Sequence, residues 1–327
     1  MLKMRKVKIA LWVTLAMTAI ATVLRVTLIP YTQDMETGAF HISYVVVAAM
    51  VLTLVAAAFL LIKGKEELPT LPSVRGAWLT PIACVVMLVG VCLLVVAAVD
   101  MYRWAALGVT PPPTKMIIGT VDRLTLFFSL VFGVLSGTYF IRLGWLWLQE
   151  NREMRGVMHF WALCPTVWIW MRLARYEVSY ASAVEIYESF YDFAMLLLMM
   201  LFLFAFARWS ARVGEERPRR LLFYALGTAL MAISGPIARM IFYLIGEGDA
   251  YRAGQLAGLS DFAIGLFAAV MALYWVLEKP EGADAAEPEE QPTSIVADAA
   301  TEDMAEPSPE TADEPSEIPT GADGDAE

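Results

Sequence analysis

The chain has 327 residues, of which 58% are hydrophobic, and a formal net charge of −10. Soluble domains carry about 45–50% apolar residues. Here the excess is gathered into long runs, which excludes an ordinary soluble globule and points to a protein that spans a membrane several times. No nucleic-acid partner is expected of such a chain.

The charge is unevenly divided. All 24 Lys and Arg lie at or before Lys279, while 16 of the 34 Asp and Glu lie after it. Residues 1–279 therefore hold 24 basic against 18 acidic residues, a net +6. The chain reads as a mildly basic membrane body, 1–279, joined to an acidic tail, 280–327.

Stretches of about 20 apolar residues predict the spans in order. The first covers 9–30, after a basic start with Lys3, Arg5, Lys6 and Lys8, and carries Arg25 near its end. Ala19-Ile20-Ala21 has the look of a signal-peptidase site, but the apolar run continues to Pro30. The segment is therefore expected to remain as a span. The loop 31–41 has no Lys or Arg but holds Asp34, Glu36 and His41. The second span is 42–62, followed by Lys63, Lys65 and Arg75. The third is 78–101, with Pro111-Pro112-Pro113 as a stiff spacer beyond it. The fourth, 121–147, opens on Asp122 and is followed by Arg152 and Arg155.

The fifth span, 157–178, carries Arg172 and Arg175, and the sixth, 186–207, begins among Glu185, Glu188 and Asp192. Arg208, Arg212, Arg217, Arg219 and Arg220 follow. The seventh, 221–245, contains Ser234-Gly235-Pro236 and then Arg239. The proline is expected to kink that helix or loosen its hydrogen bonding. The eighth, 259–277, carries Asp261 near its start. Basic residues crowd alternate connections, which places those connections and both termini in the cytoplasm of a bacterial plasma membrane. Trp residues near the span ends fit interfacial belts. The fold class expected is therefore all-α, a bundle of about eight transmembrane helices. The tail has almost no large apolar residues and is expected to be disordered.

Charges inside spans are costly and usually mark a bundle interior or a water cavity. Arg25, Asp122, Arg172, Arg175, Asp192, Arg239 and Asp261 all fall toward the outer ends of their helices. Arg172 and Arg175, spaced i, i+3, share one helical face, as do Glu185, Glu188 and Asp192. A short turn between these helices would let the two faces meet. Arg239 has no acid within a turn, so its partner must come from another helix or from a ligand. Arg25 with Asp122 and Arg172 with Asp261 also hint at a repeat of four helices.

Several chemistries are disfavoured. His41 and His159, the only histidines, fall near opposite ends of their spans, so they cannot share one haem or metal. There is no HExxH and no Gly-rich nucleotide loop. Cys84, Cys92 and Cys164 lie within apolar runs and read as buried free thiols. No cofactor and no enzymatic activity are expected.

Three stretches carry a resemblance: Leu24-Arg25 with the loop Asp34 to Phe40; Pro165-Thr166-Val167-Trp168 with Arg172-Leu173, running on to Glu188; and Gly235-Pro236-Ile237-Ala238-Arg239. In these the chain resembles uncharacterised polytopic membrane proteins of Clostridia-type Firmicutes. The resemblance covers much of the membrane body and none of the tail. It implies no activity, but it falls on Arg25, Arg172, Glu188 and Arg239.

Two functional readings follow. In one, Arg25, Arg172, Arg175, Glu185, Glu188, Asp192, Arg239 and Asp261 line an outward-facing pocket that binds or moves a small anionic ligand. In the other, the charges only lock helix register, and the chain is a scaffold or sensor whose acidic tail engages a cytoplasmic protein.

Overall fold

A membrane interior offers backbone N–H and C=O groups no water, so a chain that crosses it must satisfy them internally, as a helix does. The computed structural model describes residues 5–28, 39–62, 76–107, 116–149, 160–180, 186–211, 218–245 and 255–277. Eight α-helices lie among them. They are α1 (Arg5–Leu28), α2 (Ala39–Ile62), α3 (Leu79–Leu107) and α4 (Met116–Leu148), then α5 (Cys164–Tyr180), α6 (Ile186–Ser210), α7 (Pro218–Ile245) and α8 (Gln255–Leu277). Among the described residues every regular element is helical. Six helices, α1, α3, α4, α6, α7 and α8, are long and apolar enough to cross a bilayer, and α2 adds a shorter apolar stretch, Val45–Leu61. This is consistent with a multi-pass membrane protein. The chain divides into two units, Met1–Ala283 and Asp284–Glu327, and the second lies wholly outside the described residues.

The local sequence explains the helix boundaries. Pro81, Pro165 and Pro218 sit in the first turns of α3, α5 and α7, where a missing N–H costs nothing. The expected fifth span, 157–178, is interrupted: Ala162 and Leu163 form a turn, and α5 starts at Cys164. Pro165 has no N–H to donate to the Trp161 carbonyl one turn back, which favours a break at this point. Several hydroxyls inside the spans are satisfied by carbonyls of their own helix. Thr14, Thr18 and Thr22 donate to the carbonyls of Ala10, Thr14 and Thr18 at 2.8, 2.8 and 2.7 Å. An unbonded hydroxyl in an apolar medium would be costly.

The helices α7 and α8 form the centre, with 78% and 72% of their spanning windows buried, against 33% for α1. Helices α1, α2 and α6 pack on α7, α3 packs on α8, and α5 bridges α4 and α6. The closest pair is α3 with α4, and glycine explains it. A Cβ on Gly137 would meet Leu94 at 2.7 Å and the Gly90 carbonyl at 2.9 Å; one on Gly144 would meet the Ala83 carbonyl at 2.8 Å. Small residues let backbones approach in this way where lipid supplies no hydrophobic drive. Lower in the bundle, Phe267 of α8 gathers Phe140, Phe202 and Phe206 at ring distances of 5.8, 5.6 and 5.1 Å. Edge-on packing of this kind adds to area burial. Cys92 and Cys164 are buried, but Cys84 is exposed on the bundle surface, and all three are free thiols.

Gly137→Leu is expected to destabilise the protein by about 1–3 kcal/mol through overpacking, whereas Val91→Leu, on the exposed face of α3, is expected to be neutral. Thermal unfolding of the purified protein in detergent checks both.

Candidate functional site

The polar residues collect where α1, α3, α5 and α7 finish and α4, α6 and α8 begin. Asp192 and Asp261 lie six residues into α6 and α8, and Arg239 lies six residues before the end of α7. At 1.5 Å per residue each is about 9 Å from its helix terminus. Matching depth on neighbouring helices is what allows the charges to pair.

Arg172 of α5 clamps Asp261 of α8. Its Nη1 donates to Asp261 Oδ1 and its Nη2 donates to Oδ2 at 3.0 Å. This two-point geometry is the strongest that the two groups can make. The Asp261 side chain is 4% exposed and that of Arg172 is 16% exposed. The guanidinium also lies over the Trp168 ring, 4.8 Å from its centroid. Arg239 of α7 donates from Nη2 to Asp192 Oδ1 of α6 at 2.6 Å, with side chains 21% and 16% exposed. Asp192 and Asp100 also act on Arg172 at longer range. The two ion pairs are thus one electrostatic unit.

Tyr191 ties this unit to α1 and α7. Arg25 of α1 is 6% exposed, and its guanidinium lies 3.8 Å from the centre of the Tyr191 ring. The Tyr191 hydroxyl donates to the Met231 carbonyl at 2.5 Å and lies 3.0 Å from Ser234 Oγ. Ser234 in turn donates to the Leu230 carbonyl at 2.6 Å. The ring needs Gly235 beside it, since a Cβ there would meet Tyr191 Cε1 at 2.6 Å. Helix α7 runs unbroken through Pro236, so these bonds brace the turn that the proline weakens.

The structure therefore joins Arg25, Arg172, Asp192, Arg239 and Asp261, which the sequence singled out. It pairs them differently from the expected α5–α6 contact. Arg172 takes Asp261, and Asp192 takes Arg239, although α5 and α6 pack against each other. Arg175 is half-buried one turn beyond Arg172. Glu185, and the side chains of Glu188, Asp122 and His41, lie outside the described residues.

Asp100 escaped the sequence reading. It is 7% exposed and accepts from Ser129 Oγ at 3.3 Å. It stands one turn beyond Ala97, which faces Gly133 of α4, so its place on the small-residue stripe was a usable signal. Tyr191 carried no such signal, since a tyrosine near a span end reads as an interfacial anchor. Among the described residues, no group of three or more His, Cys, Asp or Glu could hold a metal.

Comparison of the chain with protein-family models, with curated proteins and with solved structures finds no match.

Asp261→Ala strands a buried guanidinium and is expected to cost about 3–5 kcal/mol. The double change Arg172→Leu with Asp261→Leu is expected to recover most of that loss, measured as thermal unfolding in one detergent. Gly235→Ala is expected to displace the Tyr191 ring and lower Tm. Adding Tyr191→Leu should return part of the loss, which a double-mutant cycle reads directly.

Proposed function

We propose that the chain is an eight-span protein of a bacterial plasma membrane, with both termini cytoplasmic, that binds a small anion at its charged end. It does so by carboxylate exchange, as a binding or transport protein and not as an enzyme. The ligand's oxyanion replaces Asp192 on Arg239. The observation that carries this reading is the contrast between the two ion pairs. Asp261 is 4% exposed and held at two points, whereas Arg239 and Asp192 are 21% and 16% exposed. The first pair behaves as a fixed clamp and the second as a replaceable contact. Arg is suited to this role because its planar fork fits carboxylate and oxyanion geometry alike. The Phe140–Phe202–Phe206–Phe267 knot supports entry from the charged end only, since it fills the bundle interior next to that layer. The resemblance to the Clostridia-type membrane proteins carries no ligand identity and leaves the chemistry to the residues.

The bidentate clamp favours a second reading, in which the charges lock helix register and the acidic tail after Lys279 recruits a cytoplasmic protein. Deleting the tail abolishes function in that case and spares it in the first.

Sulfate, acetate and succinate are the probes. The purified protein is expected to gain about 2.7 kcal/mol when one of them is present at a hundred times its Kd, read as a rise in Tm. Arg239→Gln should lose the ligand-dependent rise, and Arg220→Gln, on the exposed surface at the opposite end of α7, should keep it. No response to any of the three, or an unchanged response in Arg239→Gln, refutes the proposal.

A further inference from the structure

Exchange at Arg239 raises a question of charge. The pair is neutral as it stands, with Arg239 Nη2 2.6 Å from Asp192 Oδ1. An incoming anion adds at least one negative charge to a cluster packed among apolar helices, whatever else its cations touch. Added charge at membrane depth is costly. A proton taken up with the anion removes that cost.

We infer that each anion bound at Arg239 brings one proton onto Asp192, an inference that rests on the exchange reading above. The balance is simple. For a monoanion such as acetate, the ion pair, the anion and a proton from water become an Arg239–anion pair and a neutral Asp192 carboxylic acid, and no net charge enters; for a dianion such as sulfate or succinate the same proton cuts the added charge from two to one. Asp192 is the acceptor for two reasons. It is the carboxylate that gives up its contact with Arg239. It is also the more exposed of the two paired carboxylates, 16% against 4% for Asp261, so water can deliver the proton.

The groups facing Asp192 come from every neighbouring helix. Arg239 faces it from α7, and Arg172 acts from α5 while holding Asp261 of α8. Tyr191, beside it on α6, lies under Arg25 of α1 and gives its hydroxyl to Met231 of α7. Asp100 of α3 also acts on Arg172. Arg172, Arg239 and Arg25 keep their charge at any pH that the protein meets, since guanidinium does not deprotonate in proteins. The carboxylates must therefore absorb the change. Among the carboxylates of this layer whose side chains are described, Asp261 is held at two points and Asp100 is 7% exposed, so Asp192 is the one placed to do so.

The test is isothermal titration of sulfate, acetate or succinate into the full-length protein in detergent. Running it in two buffers of different ionisation enthalpy counts the protons taken up. The wild type is expected to take up about one proton per anion and to lose affinity about tenfold for each unit rise in pH. Asp192→Asn is expected to bind without proton uptake and with little pH dependence. Asp192→Glu, which keeps a carboxyl, should restore the uptake. Wild-type binding with no proton uptake overturns the coupling and leaves the exchange reading intact, whereas no binding of any probe overturns both. Undiminished uptake in Asp192→Asn overturns the assignment to Asp192. Where Asp192→Asn does not fold, the wild-type proton count and the Asp192→Glu profile decide the matter.

Discussion

A guanidinium cannot shed its charge in a protein, and a bilayer interior does not solvate it. An arginine placed within a span must therefore find an anion, an aromatic face or water. Arg25, Arg172 and Arg239 impose that demand on the upper bundle, and its packing answers it. Arg172 brings α5 to α8 through Asp261, Arg239 brings α7 to α6 through Asp192, and Arg25 brings α1 to α6 through the Tyr191 ring. Five helices are linked at one level. Register along each is constrained, because sliding any of them by one residue moves its charge by about 1.5 Å.

The rest of the bundle is held by different means. Van der Waals contact at glycine brings α3 and α4 together backbone to backbone, and the phenylalanine knot joins α4, α6 and α8. Neither relies on electrostatics. The molecule thus separates its two requirements along the helix axes. A dry, shape-matched portion supplies packing, and a polar portion near one end supplies directional contacts. The α7 turn at Ser234–Pro236 lies where these portions meet. It is braced by the Tyr191 hydroxyl and relies on Gly235 to admit the ring.

Much of this was legible in the sequence. Long apolar runs located the helices, because helical satisfaction of the backbone is nearly obligatory in lipid. Charge within those runs located the polar layer, because few residues tolerate that position without a reason. The lack of a nearby acid for Arg239 required a partner from another helix or from a ligand, and Asp192 of α6 is such a partner. Which charge meets which was not legible. The i, i+3 spacing of Arg172 and Arg175 describes one face of one helix and says nothing about the neighbour it faces. Sequence adjacency suggested α6 for Arg172, and α5 does pack on α6, but the carboxylate that Arg172 clamps is Asp261 of α8. Asp100 was passed over because it stands at the edge of an apolar run. The break before α5 depends on a single proline whose effect competes with an otherwise continuous hydrophobic pattern.

The shallow position of the charged layer has an electrical consequence. Moving one elementary charge across a whole membrane at 100 mV involves about 2.3 kcal/mol. A site about 9 Å from a helix end lies within roughly a third of the ~30 Å hydrocarbon thickness. For the eight-span arrangement proposed above, a charge reaching this layer would then feel about a third of that energy, under ~1 kcal/mol at 100 mV. On that placement the membrane potential would have limited leverage on the Arg239–Asp192 pair, and exchange there would answer mainly to concentration.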